Sequence, residues 1–521
     1  MKSKLSHLLP LLLTVVVLAA TLALPGCDNT PEEKVSYTIS DTTGDWGYPS
    51  PYSHYSRGPG YVRMSFIFET LVWKDDSGFV PQLAESWEYI EADNAYRFNL
   101  QHDVTWHDGE PFTADDVVFT INYCMEHQYQ WVDNSIVSSA EALDDHTVVL
   151  YLSQPYAHFF QNFAGALPIL PQHIWEGVTE PETFLGDEAV IGTGLYTLED
   201  YNKEQGTYLY LAYDDYYLGT PAVDELKFVK ISEELIPAAL EDGTVSMGSL
   251  PADITADFEA AGFTIITPPP SWNAKLTINH QKEPLSNKEF RQALAYAIDR
   301  QQLVEITQRG YAMAGNPGLL PPTSAWYNPD VPQYEYDVAK AQELLTGLGY
   351  TLEGDYFTKD GQVLTLELIA AADFQEVGQF IQQQLELAGI KIEFTTLESK
   401  TVDTRVDAWE FDLSIYGHGG LYDPSILKTV ILDDGFNSAR YTSNETLTQL
   451  ITDQFNEMDE ATRRDMILQA QQIYAEDLPA LSLYYPESYT AHDGSVDLFY
   501  TIDGIAIGVP IALNRMAFVN Q

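Results

Sequence analysis

KLTINHQKEPLSNKEFRQALAYAI, residues 275–298, holds a strand and a helix within one short span. Residues 275–279 read as a strand. Ser286, Asn287, Lys288 and Glu289 then have the spacing of a capping box, in which a hydroxyl and a carboxylate satisfy the first free N–H groups of a helix. Phe290, Leu294, Ala297 and Ile298 follow at helical spacing, so this helix buries one side. A strand feeding a half-buried helix is the repeating unit of an α/β layer. This one opens a second α/β unit that runs to about residue 485.

The same alternation continues in both directions. Upstream, strands are expected at 35–39, 96–100, 104–106, 148–152 and 226–231, with helices at 64–73, 117–127 and 235–240. Downstream, helices are expected at 336–348, closed by Gly349, around Val377, Phe380, Ile381 and Leu385, closed by Gly389, and at 462–475. Strands fall at 364–369, 390–394, 409–415 and 481–485. The tail beyond 486 has no helical pattern and is read as returning to the first unit. The fold class is therefore α/β.

Composition narrows the partners. The chain has 521 residues, with 26 Lys+Arg against 77 Asp+Glu, a formal charge of −51. Such a surface repels phosphate backbones and anionic lipid headgroups, which excludes nucleic acid as a partner. Lys2 and Lys4 precede an apolar run ending in LPGC, residues 24–27, the pattern of an export signal. Residues 1–26 are read as a lipoprotein signal peptide, Cys27 as its lipidated residue and 27–34 as a tether. With Cys27 acylated, Cys124 has no disulfide partner. It is expected to be buried and structural.

The chemistry-bearing stretch is YGHGGLYDP, residues 416–424. Three glycines allow close backbone approach or positive φ. Tyr416, His418, Tyr422 and Asp423 crowd between them, which suits a metal loop, a catalytic loop or a recognition loop. A second candidate is the long loop 45–61, which carries Trp46, Tyr52, His54 and Arg57. Trp272 follows three prolines at a rigid crossing. Arg440 suits bidentate clamping of a carboxylate. The acids of HDGEPFTADDV, residues 107–117, are accounted for by a tight turn at Asp108-Gly109 and a helix cap at Thr113 and Asp116. There is no HExxH, GxSxG, CxxC or Walker loop, so no enzyme class is indicated and no cofactor is expected.

The order of segments resembles the peptide/nickel-binding family of extracellular solute-binding proteins, the receptors of ABC importers. Six stretches carry the resemblance: FETLVWKDDSGFVPQLAESWE (68–88), VTWHDGEPFTADDVVFT (104–120), IGTGLYTL (191–198), FRQALAYAIDRQQLV (290–304), YDVAKAQELLTGLGY (336–350) and IQQQLELAGIKIE (381–393). The resemblance implies a two-lobed, hinged fold with ligand between the lobes. Lobe I would comprise 35–73, 190–272 and 487–521, with an extra subdomain at 74–189. Lobe II would comprise 273–486, with hinges near Trp272 and residue 486.

The resemblance also places ligand contacts at the loop before Asp423-Pro424. Peptide-binding relatives carry an acid four positions before this proline, pairing with the peptide ammonium. Gly420 stands there in this chain, so that pairing falls to Asp423 or another acid. His418 instead suits a metal chelate. The expected function is capture of oligopeptides or peptide-like solutes for an ABC permease and its ATPase, with metal-chelate capture as the alternative. The ligand set is Tyr416, His418, Gly420, Tyr422, Asp423, Trp272, Arg57, His54 and Arg440, with Tyr52 and Trp46 as further walls. The protein is expected to be exported, monomeric and lipid-anchored to the outer face of the cytoplasmic membrane.

Overall fold

The computed structural model describes residues 34–435 and 437–520. The signal peptide, the Cys27 lipidation site and nearly all of the tether lie outside these residues.

Two large sheets dominate. In the first, seven strands run in the order Thr264–Ile266, Thr490–His492, Met247–Ser249, Ser36–Asp41, Glu225–Lys230, Thr207–Ala212 and Tyr196–Asn202. Its centre is parallel: Ser36–Asp41 pairs in parallel with both neighbours. In the second, six strands run Ala312–Ala314, Ala480–Pro486, Asn273–Ile278, Leu413–His418, Thr365–Ala371 and Lys391–Leu397. A third, four-stranded antiparallel sheet spans Ala84 to Leu152. The tail contributes Thr490–His492 to the first sheet.

The chain passes between the two large sheets twice, through Pro268-Pro-Pro-Ser-Trp272 and through Pro486-Glu-Ser-Tyr489. Prolines fix φ and cannot donate to a ladder, so no pairing crosses Pro268–Pro270, while Pro486 is the last residue of its strand, and the sheets remain separate.

The 275–298 stretch folds as strand Asn273–Ile278 and helix Lys288–Tyr296. Ala274, Leu276 and Ile278 enter one core with Phe290 and Leu294. The cap differs from the expected box. Asn287 is the N-cap and accepts from Phe290 N at 3.0 Å, while Ser286 donates to Glu283. The asparagine lies one residue nearer the helix and takes the amide for which the serine was expected. Arg291, on the inner face, donates to the carbonyls of Asp477 and Leu478, which end the helix Glu460–Asp477. A cation there offsets the negative end of that helix.

Three other expectations are corrected. Residues 64–73 are not one helix: the helix is Gly58–Ser65, and Val72–Lys74 is a strand paired with Phe79–Pro81. Every residue from Phe66 to Trp73 is buried, so no amphipathic period exists to hold a helix. The freed carbonyl of Ile67 instead accepts from Gly194 N at 2.7 Å. A side chain at Gly192 or Gly194 would collide with the Phe66–Ile67 backbone, which accounts for the two glycines of IGTGLY. The strand expected at 409–415 is shifted to Leu413–His418, so its last residues belong to the candidate loop. Residues 104–106 form only an isolated bridge, Thr105 to Pro111.

The cap at Thr113 and Asp116 forms as expected and opens the helix Ala114–Glu126. Cys124 on that helix is buried against Asn134.

Candidate functional site

Strands Asn273–Ile278 and Leu413–His418 are antiparallel neighbours, with Asn273 opposite His418. This brings Trp272, at the first crossing, beside the loop that follows His418. The Trp272 ring lies where a Gly417 side chain would go, and it stacks on Phe374 at 6.3 Å and 6°. Gly417 therefore makes room for a tryptophan. Gly420 has φ +78°, a left-handed conformation that costs other residues strain. Leu421 N donates to Ser271 O at 3.2 Å, tying the loop to the crossing.

Tyr416 donates to Asp403 Oδ1 at 3.1 Å. Burial and the Asp403 carboxylate push its hydroxyl up to about 12, while the Arg57 guanidinium acts the other way. Arg57 is the N-cap of Gly58–Ser65, on the first sheet's side, and its charge acts on Tyr416. It is exposed and makes no ion pair among the described residues. Tyr416 and Trp272 lie on opposite faces of the second sheet, Tyr416 beside Lys275 and Trp272 in the space left by Gly417.

Two neighbouring cavities lie on the first sheet's side of the crossings. One of about 260 Å³ is lined by Asp41, Gly58, Arg63, Met247, Thr490 and Pro510 among others. A second of about 260 Å³ shares Thr490, Pro510 and Ala512 with it and reaches Trp272 and Tyr500. They lie where the first sheet's parallel strands end, the usual ligand position in open α/β sheets.

Asp423 is already engaged. His158 Nδ1 lies 3.2 Å from its Oδ1, and Ser425 N donates to it at 2.7 Å. Burial alone would raise this carboxyl; His158 and the two Ser425 hydrogen bonds outweigh burial and hold it well below the usual carboxylate range. Arg463 Nη2 approaches the other His158 nitrogen at 2.9 Å. Ala157 N donates to Phe455 O at 2.8 Å beside it. Asp423 therefore joins the four-stranded unit to the second sheet's unit and is not a free ammonium partner. Tyr422 is buried, its hydroxyl 3.0 Å from Thr323 Oγ1.

His418 is 4% exposed, with no partner on either ring nitrogen among the described residues. Burial, with Lys275 nearby, holds it well below the ordinary histidine value. Among the described residues no group of three or more His, Cys, Asp or Glu could hold a metal. A neighbouring amine also opposes a cation, so the metal role expected of His418 is not supported by its surroundings.

Four other expected contacts are placed elsewhere. His54 is buried among Tyr61, Tyr129 and Trp131. Burial pushes it down to about 4, so it is neutral and structural. Tyr52 donates to His127 O at 3.0 Å and packs on Tyr123, Tyr129 and Trp175. Trp46 donates its indole N–H to Asp41 at 2.8 Å. Arg440 pairs with Asp407 at 3.2 Å and lies over Trp409, a surface ion pair. Aromatic residues in a loop next to a core complete that core, because burying them is more favourable than holding them in water.

The candidates missed are Lys74 and Asp503. Lys74 Nζ donates to Gln161 Oε1 at 2.9 Å and lies 3.9 Å from Asp503 Oδ2. Asp503 has φ +63° and a side chain 37% exposed, near Asp423. A non-glycine held at positive φ is the one local sign of such a site, and it is invisible in sequence.

The chain matches the profile of the bacterial extracellular solute-binding proteins, family 5 Middle, over residues 78–430. It belongs to that family. The family consists of solute-binding receptors, so the chain is a receptor and not an enzyme. It is 28% identical to an oligopeptide-binding protein, AppA of Bacillus subtilis, covering 78% of each chain. It is 26% identical to the nickel-binding periplasmic protein of Escherichia coli, covering 69% of this chain and 71% of that one. Among solved structures it is similar to the ABC transporter substrate-binding protein CtaP of Listeria monocytogenes, with a TM-score of 0.76 and 25% identity over 89% of this chain and 95% of that one. The family places its members outside the cytoplasm, and no helix among the described residues is long and apolar enough to cross a membrane.

Proposed function

We propose that this receptor captures oligopeptides or peptide-like solutes between its two large sheets and delivers them to an ABC permease driven by an ATPase. Support comes from family membership and from relatives named as peptide binders. The observation that carries the reading is the cavity beside the two crossings, lined by Trp272, Pro486, Thr490 and Tyr500 from both sides of the junction. Trp272 and Tyr500 supply apolar walls with a few polar groups, as small-molecule sites do. Gly420 leaves the loop without an acid, and Asp423 is taken by His158. Asp503, its side chain 37% exposed and only loosely paired with Lys74 at 3.9 Å, is then the acid that meets a ligand ammonium.

The lobes are assigned as 35–73, 190–272 and 487–521 with subdomain 74–189, and 273–486, hinging near Trp272 and residue 486. A lipid on Cys27 holds the monomeric receptor at the outer face of the cytoplasmic membrane.

The test is mass spectrometry of solute copurifying with the full chain, followed by calorimetry with what is found. Unaltered peptide is expected. A nickel or other metal chelate in its place would favour the second reading, which relatives named for nickel and heme keep open.

A further inference from the structure

Strand Asn273–Ile278 turns Ala274, Leu276 and Ile278 to a core. Its other face carries Asn273, Lys275 and Thr277. On the adjacent strand, Ser414 pairs with Thr277, Tyr416 with Lys275 and His418 with Asn273, so all six share that face. The face is polar and still buried: Lys275 is 1% exposed, and Asn273, Ser414 and His418 are also buried.

Its hydrogen bonding is incomplete. Asn273 Nδ2 donates to Ser482 Oγ at 2.8 Å, and the Lys275 amine donates to the Asn437 carbonyl. Among the described residues no group meets Asn273 Oδ1, Ser414 Oγ or either ring nitrogen of His418. Among the described residues no carboxylate pairs with Lys275, in a chain with 77 Asp+Glu. Each orphaned polar group costs about 1–3 kcal/mol, and an unpaired buried charge costs more. A patch that leaves so many groups unmet offers its hydrogen bonds to a polar guest. The protein supplies donors there: two remaining Lys275 hydrogens, one ring N–H of His418 and the Ser414 hydroxyl. The guest that matches them is acceptor-rich and negative. A planar carboxylate fits, because it accepts several hydrogen bonds and neutralises the amine.

Position adds a second argument. The Asn273–His418 pair lies at the end of the two strands where Trp272 and the 416–424 loop meet the gap between the sheets.

The geometry points to a buried carboxylate subsite formed by Lys275, His418, Ser414 and Asn273, which takes the anionic end of the captured solute. The assignment of the guest to the solute rests on the peptide-capture reading; the subsite itself does not. A free small carboxylate offers the same chemistry.

The experiment uses the full chain and its Lys275→Met variant, which removes the amine at similar length. One arm measures thermal stability in acetate against chloride at equal ionic strength. The other measures calorimetric binding of a tripeptide mixture and of the same mixture amidated at the C-terminus. The expected result is at least about tenfold preference for the free acid, lost in Lys275→Met. Acetate stabilisation of the unsubstituted chain alone, without discrimination between acid and amide, keeps the subsite and assigns it to a free anion. Acetate stabilisation with no peptide binding keeps the subsite and overturns peptide capture. Equal binding of acid and amide by both proteins, with no acetate effect, overturns the subsite and leaves peptide capture standing. No response in either arm overturns both. Since Met removes a buried amine whose charged form burial disfavours, pushing it down to about 7, the anion-free variant is expected to melt no lower than the unsubstituted chain. A lower melting point with anion dependence unchanged marks Lys275 as structural and overturns the subsite.

Discussion

Gly417, near the end of the strand Leu413–His418, and Gly420, in the loop after it, are three residues apart and are required for different reasons. Gly417 yields its side-chain space to Trp272, and Gly420 holds a left-handed turn. Gly420→Ala is expected to cost about 1 kcal/mol, the usual strain for Ala at positive φ. Gly417→Ala is expected to cost more, about 2–3 kcal/mol, because the indole must move. Denaturant unfolding with tryptophan fluorescence checks both, and only Gly417→Ala should change the native spectrum. Both glycines were legible as necessary. The reasons were not, because the partner at Gly417 is 145 positions away in neither direction of any local pattern: it is Trp272, brought there by strand pairing.

Arg57 makes no protein ion pair among the described residues, whereas Arg440 is paired with Asp407. Arg57→Ala is therefore expected to weaken solute binding about tenfold or more, and Arg440→Ala to leave it nearly unchanged. Calorimetry with the copurifying solute compares them. A larger loss at Arg440 would reverse the assignment.

Among elements, the joint between the four-stranded unit and the second sheet's unit depends on Asp423 and His158. The Asp423 carboxyl is lowered in the folded chain, so its contribution is present above the ordinary carboxylate value of about 3.9 and is lost as pH falls below it. Thermal stability should fall through that window. Asp423→Asn should flatten this part of the profile and destabilise the joint by about 3 kcal/mol at neutral pH. Melting temperature against pH, for both proteins, is the measurement. A profile unchanged by the substitution would remove Asp423 from this role.

Elements were legible where one face was apolar and the other polar. Helices Val338–Gly347 and Gln375–Leu387 fall close to their expected ranges because their stripes are clear. The stretch Phe66–Trp73 was misread because it is buried on all sides, and a uniformly apolar segment has no period to distinguish helix from strand. Loop 45–61 was misread for a related reason. Its aromatics looked available to a ligand, yet His54 and Tyr52 pack against Tyr129, which is on another unit.

At the scale of the molecule, two sheets are joined by two proline-bearing crossings, which the proposed function takes as its hinge, and a cavity lies beside them. Solute that contacts both sides favours the form in which they are close. Small-angle scattering should therefore show a smaller radius of gyration when the copurifying solute is restored to stripped protein. An unchanged radius with saturating solute would mean a rigid receptor.

The sequence by itself determined the α/β class, most elements, the cap at Thr113 and the order of motifs that marks the family. These follow from neighbours along the chain: period, capping and turn chemistry act within a few residues. The tertiary structure decided which polar groups are free. His158 occupies Asp423, Asp407 occupies Arg440, Arg57 reaches Tyr416, and Lys275 lies buried without an acid. Charge pairing depends on distance through space and on exclusion of water, and neither quantity exists until the sheets have closed on one another.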